Sequence, residues 1–263
     1  MIHFVGAGPG AEDLITVRGA KLLEEADVVI YAGSLVNPGL LKGTKAGCRI
    51  YNSARMTLEE VIGVMEAAEE EGLDTVRLHT GDPSIYGCIR EQMDELEKRK
   101  IPFDLCPGVS SFCGAAASLQ AEYTLPGISQ SVILTRVEGR TAVPEGERLR
   151  RLAASGATLV LFLSAGMAEK VKEELLEAGL PKDTPAAVVY KATWPDERIV
   201  RTSLEQLPRR MKEAGIEKTA LIVVGRVLDG AYERSRLYDG SFATGFRKAE
   251  DAAGKGDGPC GPA

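Results

Sequence analysis

Apolar positions along this chain follow two periods. Short apolar runs at 2–5, 28–31, 49–51, 76–79 and 103–106 read as strands, and the stretches between them carry apolar residues three and four apart, as helices do. The first helix is expected to start at Thr16 and to bury Val17, Ala20, Leu22, Leu23 and Ala26. Thr57-Leu58-Glu59-Glu60 has the form of a capping box, followed by a buried stripe of Val61, Val64 and Met65. A helix is expected over 85–96, ending in the charged cluster 97–100, and a small-residue helix over 112–119. Strand and helix alternate, which points to a parallel sheet.

Residues 120–130, with Pro126-Gly127, read as a connection. A second set of elements follows: strand 131–135, helix 145–154, buried strand 158–163, and helix 167–178 with Val171, Leu175 and Leu176 inside. Strands 186–190 and 199–202 form a hairpin, helix 204–214 follows, and 219–224 is the last strand. The expectation is two α/β domains, 1–119 and 131–228, joined by a linker at 120–130. A polar tail, 229–263, ends in a glycine- and proline-rich stretch, 252–263, expected to be disordered.

A length of 263 residues suits two such domains. The formal net charge of −6 argues against nucleic acid as a partner. No apolar run approaches the roughly 20 residues of a membrane span, and the chain opens on a strand without a signal-peptide pattern. Five cysteines without CxxC spacing, and two distant histidines, indicate a reduced, cytoplasmic protein with no metal site. Cys106 and Cys113, near the Pro107-Gly108 turn, either line a pocket or are small buried residues, and the second is the first choice.

The chemistry concentrates where strands end. Three exits are rich in glycine, proline and small hydroxyls: 6–16, 80–87 and 107–111. Open α/β sheets bind ligands at the carboxyl ends of their strands, so three such exits point to one shared crevice. Gly81 lets its backbone approach a ligand, Pro83 stiffens the turn, and Asp82 caps the following helix or accepts a hydrogen bond from a ligand. Gly6, Gly8 and Ala11 fit a dinucleotide fingerprint, but Pro9-Gly10 delays the helix and the second strand ends at Tyr31-Ala32-Gly33 without a ribose-binding acid. An NAD-dependent oxidoreductase is thereby disfavoured.

Together the motifs resemble the tetrapyrrole methylases, which use S-adenosylmethionine. The resemblance covers roughly residues 1–228 and rests on G-A-G-P-G-x-x-D-L-I-T at 6–16, G-D-P-S-I-Y-G at 81–87 and P-G-V-S-S at 107–111. T-R-V-E-G-R-T at 135–141 and Y-K-A-T-W-P-D-E at 190–197 are similar to the subgroup that methylates C11 of precorrin-4 or cobalt-precorrin-4 in cobalamin biosynthesis. The resemblance implies an α/β, two-domain tetrapyrrole-methylase fold, each domain a mixed or mostly parallel sheet flanked by helices, with the active site in the inter-domain trough. It also implies a homodimer and an anionic tetrapyrrole substrate. By motif position, Pro9, Gly81, Asp82, Ile85, Ser110, Ser111, Leu163 and Ala192 would contact the cofactor. Other tetrapyrrole C-methyltransferases, a diphthine synthase-like enzyme and a non-catalytic ligand-binding module of the same pathway stay open as alternatives.

A substrate with many carboxylates needs cationic anchors. Arg136 and Arg140 are the first candidates, because guanidinium forks pair carboxylates bidentately, and Lys191 and Arg198 come next. The plainer alternative for each is a surface salt bridge with Glu138, Asp196 or Glu197. Trp194 stacks on a macrocycle or packs a loop, Tyr86 lies beside the cofactor motif or in the core, and His79 reads as a satisfied core histidine. No residue is assigned as catalytic acid, base or nucleophile.

Overall fold

Among residues 1–229 and 232–249, which the computed structural model describes, ten strands form two sheets of five. The first contains β1 (Ile2–Gly6), β2 (Val28–Tyr31), β3 (Arg49–Asn52), β4 (Thr75–His79) and β5 (Phe103–Cys106). Its order is β3-β2-β4-β1-β5, and every pair is parallel. Side chains of β4 are buried on both faces, which is why it reads as an unbroken run. On one face Phe4 and Ile30 meet Ile62 and Met65 of α2 (Leu58–Glu70) and Leu96 of α3 (Arg90–Arg99). On the other, Val5, Val29 and Leu78 meet Leu23 of α1 (Val17–Glu25). Because β1 lies between β4 and β5, the three glycine-rich exits emerge side by side at one end of the sheet.

The second sheet has the order β6-β7-β10-β8-β9. It is built from β6 (Val132–Thr135), β7 (Thr158–Leu161), β8 (Pro185–Tyr190), β9 (Arg198–Ser203) and β10 (Ala220–Val224). Only β6 and β7 pair in parallel; β8 and β9 form the expected hairpin. Helices α5 (Leu149–Ala153), α6 (Ala168–Glu177) and α7 (Leu207–Glu213) cover one face through Leu149, Val171, Leu175 and Met211. The other face is covered by α4 (Ser111–Leu119), whose Ala115 and Leu119 are buried with Val160, Ala187 and Val223. Helix α4 follows the first sheet in the chain but buries its side chains on the second, so it forms the joint between them.

Several local expectations are corrected. The helix expected over 85–96 is α3, which begins only at Arg90, because Tyr86 (φ 56°) and Cys88 (φ 50°) are left-handed and cannot lie in a helix. Asp82 therefore caps no helix. Thr16 does cap α1, accepting the Gly19 N–H at 3.1 Å, but Val17 is 75% exposed and is not part of the buried stripe. The region 145–154 divides into a 3-10 turn, Glu145–Glu147, and α5, because Arg148 is extended between them. Helix 204–214 contracts to Leu207–Glu213. Cys106 is buried but Cys113 is exposed. Val64 and Leu176 are partly rather than fully buried. The tail includes a 3-10 turn at Arg236–Tyr238, while the stretch 252–263 lies outside the described residues.

His79 is core, as expected, but it is not satisfied. It is 4% exposed, its ring stacks near Phe4, and its Nε2 has no hydrogen-bond partner among the described residues. Burial, with a smaller contribution from the charge of Arg77, pushes its pKa down to about 3. Arg77, two residues earlier on the same face, donates to Gln92 Oε1 at 3.0 Å and to the Ile30 carbonyl at 3.1 Å.

Candidate active site

The three exits of the first sheet are knit together by backbone. Gly8 and Gly81 form an antiparallel bridge, with N–H to O distances of 3.2 and 2.8 Å. A Cβ on Gly6 would lie 2.5 Å from Gly108 Cα and 2.6 Å from the Gly81 carbonyl oxygen. These glycines are thus required by loop-on-loop approach, and Gly81 also by its φ of 60°. Asp82 completes the weave: Oδ1 accepts the Ser84 N–H at 2.8 Å and the Ser84 hydroxyl, while Oδ2 accepts the Gly108 N–H at 2.8 Å. Partial burial pushes this carboxyl up, but the bonds from Ser84 and Gly108 outweigh burial and hold it below the ordinary carboxylate range.

The second sheet closes the opposite side. Antiparallel pairing of β10 with both β7 and β8 brings the start of β10 beside the ends of the other two. Leu163 after β7, residues 191–194 after β8 and residues 217–219 before β10 therefore form one wall. The Lys191 N–H donates to the Thr219 carbonyl at 2.9 Å. Between this wall and the glycine loops is a cavity of about 460 Å³, within the size range of small-molecule sites. Pro9, Thr80 and Ser111 line it from one side, and Phe162, Leu163, Lys191, Ala192 and Trp194 from the other.

Of the residues singled out in the sequence, Pro9, Ser111, Leu163, Ala192 and Lys191 line this cavity. Gly81, Asp82 and Ser110 lie in the knit loops behind it, and Ile85 packs into the α4-covered face of the second sheet. Trp194 faces the cavity and also fills the space a Cβ on Gly10 would need. Tyr86 is not core; it is 43% exposed, with its ring 5.3 Å from that of Phe162. Burial raises its phenol pKa, against the opposing pull of the Arg136 charge. Thr80, in the expected 80–87 exit, lines the cavity too, whereas Phe162 and 217–219 were not expected there; the last carry no motif and reach the site only through the antiparallel sheet order.

Strain collects here. Leu163 (φ 52°), Lys191 (φ 49°), Thr193 (φ 67°), Thr219 (φ 55°) and Tyr86 are left-handed non-glycine residues in or beside the wall. Each such conformation costs on the order of 1–3 kcal/mol and persists only where neighbours fix it. Leu163 is 66% exposed despite being apolar. Behind it Ser164, fully buried, accepts the Val137 N–H at 2.9 Å and donates to the Phe162 carbonyl at 2.7 Å, joining this loop to the 136–142 loop.

The cationic candidates differ. Arg136 donates to the carbonyls of Thr141 and Ala142 at 3.1 and 2.7 Å, so its fork shapes its own loop. Arg140 is exposed. Lys191 pairs with Asp196 at 2.6 Å and lies 5.0 Å from the Trp194 ring centroid. Arg198 donates to the Ala214 carbonyl and sits over Tyr190.

Fold and site together define a two-sheet α/β protein with a small-molecule cleft between the sheets. The family model for tetrapyrrole (corrin/porphyrin) methylases matches residues 1–208, and the chain belongs to that family. It is 55% identical to the cobalt-precorrin-4 C(11)-methyltransferase of Methanocaldococcus jannaschii over 249 residues, 94% of this chain and 96% of that one. That span is longer than residues 1–229, so the similarity extends into the tail, beyond the limit expected from the motifs. Among solved structures, a cobalt precorrin-4 methyltransferase of cobalamin biosynthesis superposes with a TM-score of 0.85 at 50% identity, covering 87% of this chain and 95% of that one. The uroporphyrin-III C-methyltransferase of Thermus thermophilus in complex with S-adenosylhomocysteine superposes with a TM-score of 0.74 at 26% identity, covering 87% of this chain and 98% of that one.

Proposed function

We propose that this chain transfers a methyl group from S-adenosylmethionine to C11 of precorrin-4 or cobalt-precorrin-4 in cobalamin biosynthesis. The observation that carries the reading is the cleft, built on one side by the three joined glycine loops and on the other by the 191–194 loop. The similarity to C11-methyltransferases along nearly the whole chain supports the same chemistry.

The cleft suits the donor chemically. Its wall of Leu163, Val189, Ala192 and Leu221 matches the face of a purine, and the hydroxyls of Thr80 and Ser111 match a polar amino-acid end. When bound, S-adenosylmethionine supplies an electrophilic methyl on a sulfonium. Pro9, Ser111, Leu163 and Ala192 would hold it directly, while Gly81, Asp82, Ile85 and Ser110 fix the shape of the loops. Displacement at the methyl carbon needs the donor and the nucleophilic carbon in line. The rigid loops supply that alignment, and the apolar wall excludes water, which together can account for roughly 7–11 kcal/mol of barrier lowering.

The tetrapyrrole carboxylates would be met by Arg140 and Lys191, and by the 136–142 loop that Arg136 shapes. Lys191 can exchange its contact with Asp196 for a substrate carboxylate at little cost, because an exposed pair contributes only about 0–1 kcal/mol. A cytoplasmic homodimer belongs to the same reading; no helix among the described residues is long and apolar enough to cross a membrane.

Calorimetric titration with S-adenosylhomocysteine, with NADH as control, tests the reading. Saturable binding of the former alone is expected, followed by methylation of the tetrapyrrole. Absence of binding, or preference for NADH, would overturn it.

A further inference from the structure

A chain of hydrogen bonds crosses between the two sheets at the 191–197 loop. Glu197 Oε2 accepts the hydroxyl of Ser118 on α4 at 2.5 Å and the N–H of Thr193 at 2.5 Å. Thr193 Oγ1 in turn accepts the N–H of Ala11, in the glycine loop, at 3.0 Å. Thr193 is β-branched and left-handed, a conformation that such a residue holds only when its surroundings impose it. Glu197 imposes it from one side by taking the N–H, and the glycine loop imposes it from the other. Ala192 and Trp194, the neighbours of Thr193, both line the cleft, and Trp194 lies against Gly10. Arg201 adds a second tie, donating to the Leu119 carbonyl at the end of α4 at 2.5 Å.

We infer that Glu197 is a positioning residue for methyl transfer, holding Thr193 left-handed so that Ala192 and Trp194 form the donor-binding wall against the glycine loop. The inference rests on the proposed reading of the cleft as the methyl-donor site. Without the carboxylate, the Thr193 N–H loses its acceptor, and residues 192–194 are held against Pro9 and Gly10 only by the Ala11–Thr193 bond and the Lys191–Trp194 turn. The neutral isostere differs: a glutamine at this position keeps an oxygen able to accept both donors. Geometry, rather than charge, is therefore what Glu197 contributes.

The test is calorimetric titration of the full chain with S-adenosylhomocysteine, on wild type, Glu197→Ala, Glu197→Gln and Ser118→Ala, with thermal melts of each. Glu197→Ala is expected to weaken binding about tenfold or more and Glu197→Gln to restore it to within about threefold of wild type, with Ser118→Ala between them. Steady-state rates should show the same order in the KM for the methyl donor, with a smaller change in kcat. If Glu197→Ala fails to fold, Ser118→Ala and Glu197→Gln carry the test. Wild type that binds, with Ser118→Ala or a folded Glu197→Ala unchanged, overturns the inference alone, as does a Glu197→Gln as impaired as the alanine variant. Wild type that fails to bind overturns the reading of the cleft and this inference together.

Discussion

The Gly108 N–H donates to Asp82 Oδ2 at 2.8 Å, and through this bond the exit of β5 is tied to the exit of β4. The other oxygen of the same carboxylate holds Ser84, so Asp82 organises two loops at once. Replacing it by alanine strands backbone donors at the cleft. Asp82→Ala should lower stability by about 1–3 kcal/mol in chemical denaturation and weaken S-adenosylhomocysteine binding. Asp82→Asn should recover only part of the loss, because its amide group presents a donor to a donor. The carboxyl lies below its ordinary value of 3.8, so its contribution is present above pH 3.8 and lost as pH falls through the folded value. Unchanged stability in Asp82→Ala would mean that the loops hold without it.

Gly108 is enclosed by backbone alone, with Gly6 Cα 2.7 Å from where a Cβ would sit and the Gly81 carbonyl closer still. No flexible side chain can yield. Gly108→Ala should cost about 3 kcal/mol or more, or prevent folding, whereas Gly146→Ala, with open space around it, should change stability by no more than about 0.5 kcal/mol. Thermal melts of the two variants side by side would decide this.

His79 should make the protein sensitive to mild acid. Its folded pKa of about 3 lies below the ordinary 6.5, so burial adds no protonation penalty well above pH 6.5 and one that grows as pH falls toward 3. Between pH 8 and pH 5 the linkage amounts to about 2 kcal/mol. His79→Phe, which preserves the stacking near Phe4, should flatten the stability profile over that window. Identical slopes for wild type and variant in denaturant titrations would show that His79 is not the sensor.

The two loop arginines should separate in their requirements. Arg136→Lys should fail to replace Arg136, because the fork bonds two carbonyls that a single ammonium cannot span equally. Arg140→Lys should largely keep function, because an exposed cation that meets a carboxylate needs charge more than geometry. In both alanine variants the KM for the tetrapyrrole should rise while S-adenosylhomocysteine affinity stays near wild type. Equal loss of both affinities would assign the 136–142 loop a structural role.

The alternation of strands and helices was legible because burial on one or both faces imposes periods that a sequence must display. Val28 to Tyr31 and Thr75 to His79 are examples, and the Thr57–Glu60 capping box was readable for the same local reason. Boundaries were less legible where backbone conformation departs from side-chain preference. Tyr86 and Cys88 look helical in composition, yet positive φ delays α3 to Arg90.

The two sets of α/β elements, the parallel pairing of the first and the glycine loops that mark its binding end were legible in the chain, because these depend on local neighbours, whereas the strand order was not. Tertiary structure alone decided that α4 covers the second sheet, that residues 217–219 reach the cleft, and that Glu197, Thr193 and Ala11 form one chain of bonds. The last of these relations joins residues 186 positions apart, Ala11 and Glu197, and the cleft brings Thr219 to Pro9 across 210. They follow from strand order and sheet packing, which no local pattern of hydrophobic and polar residues encodes.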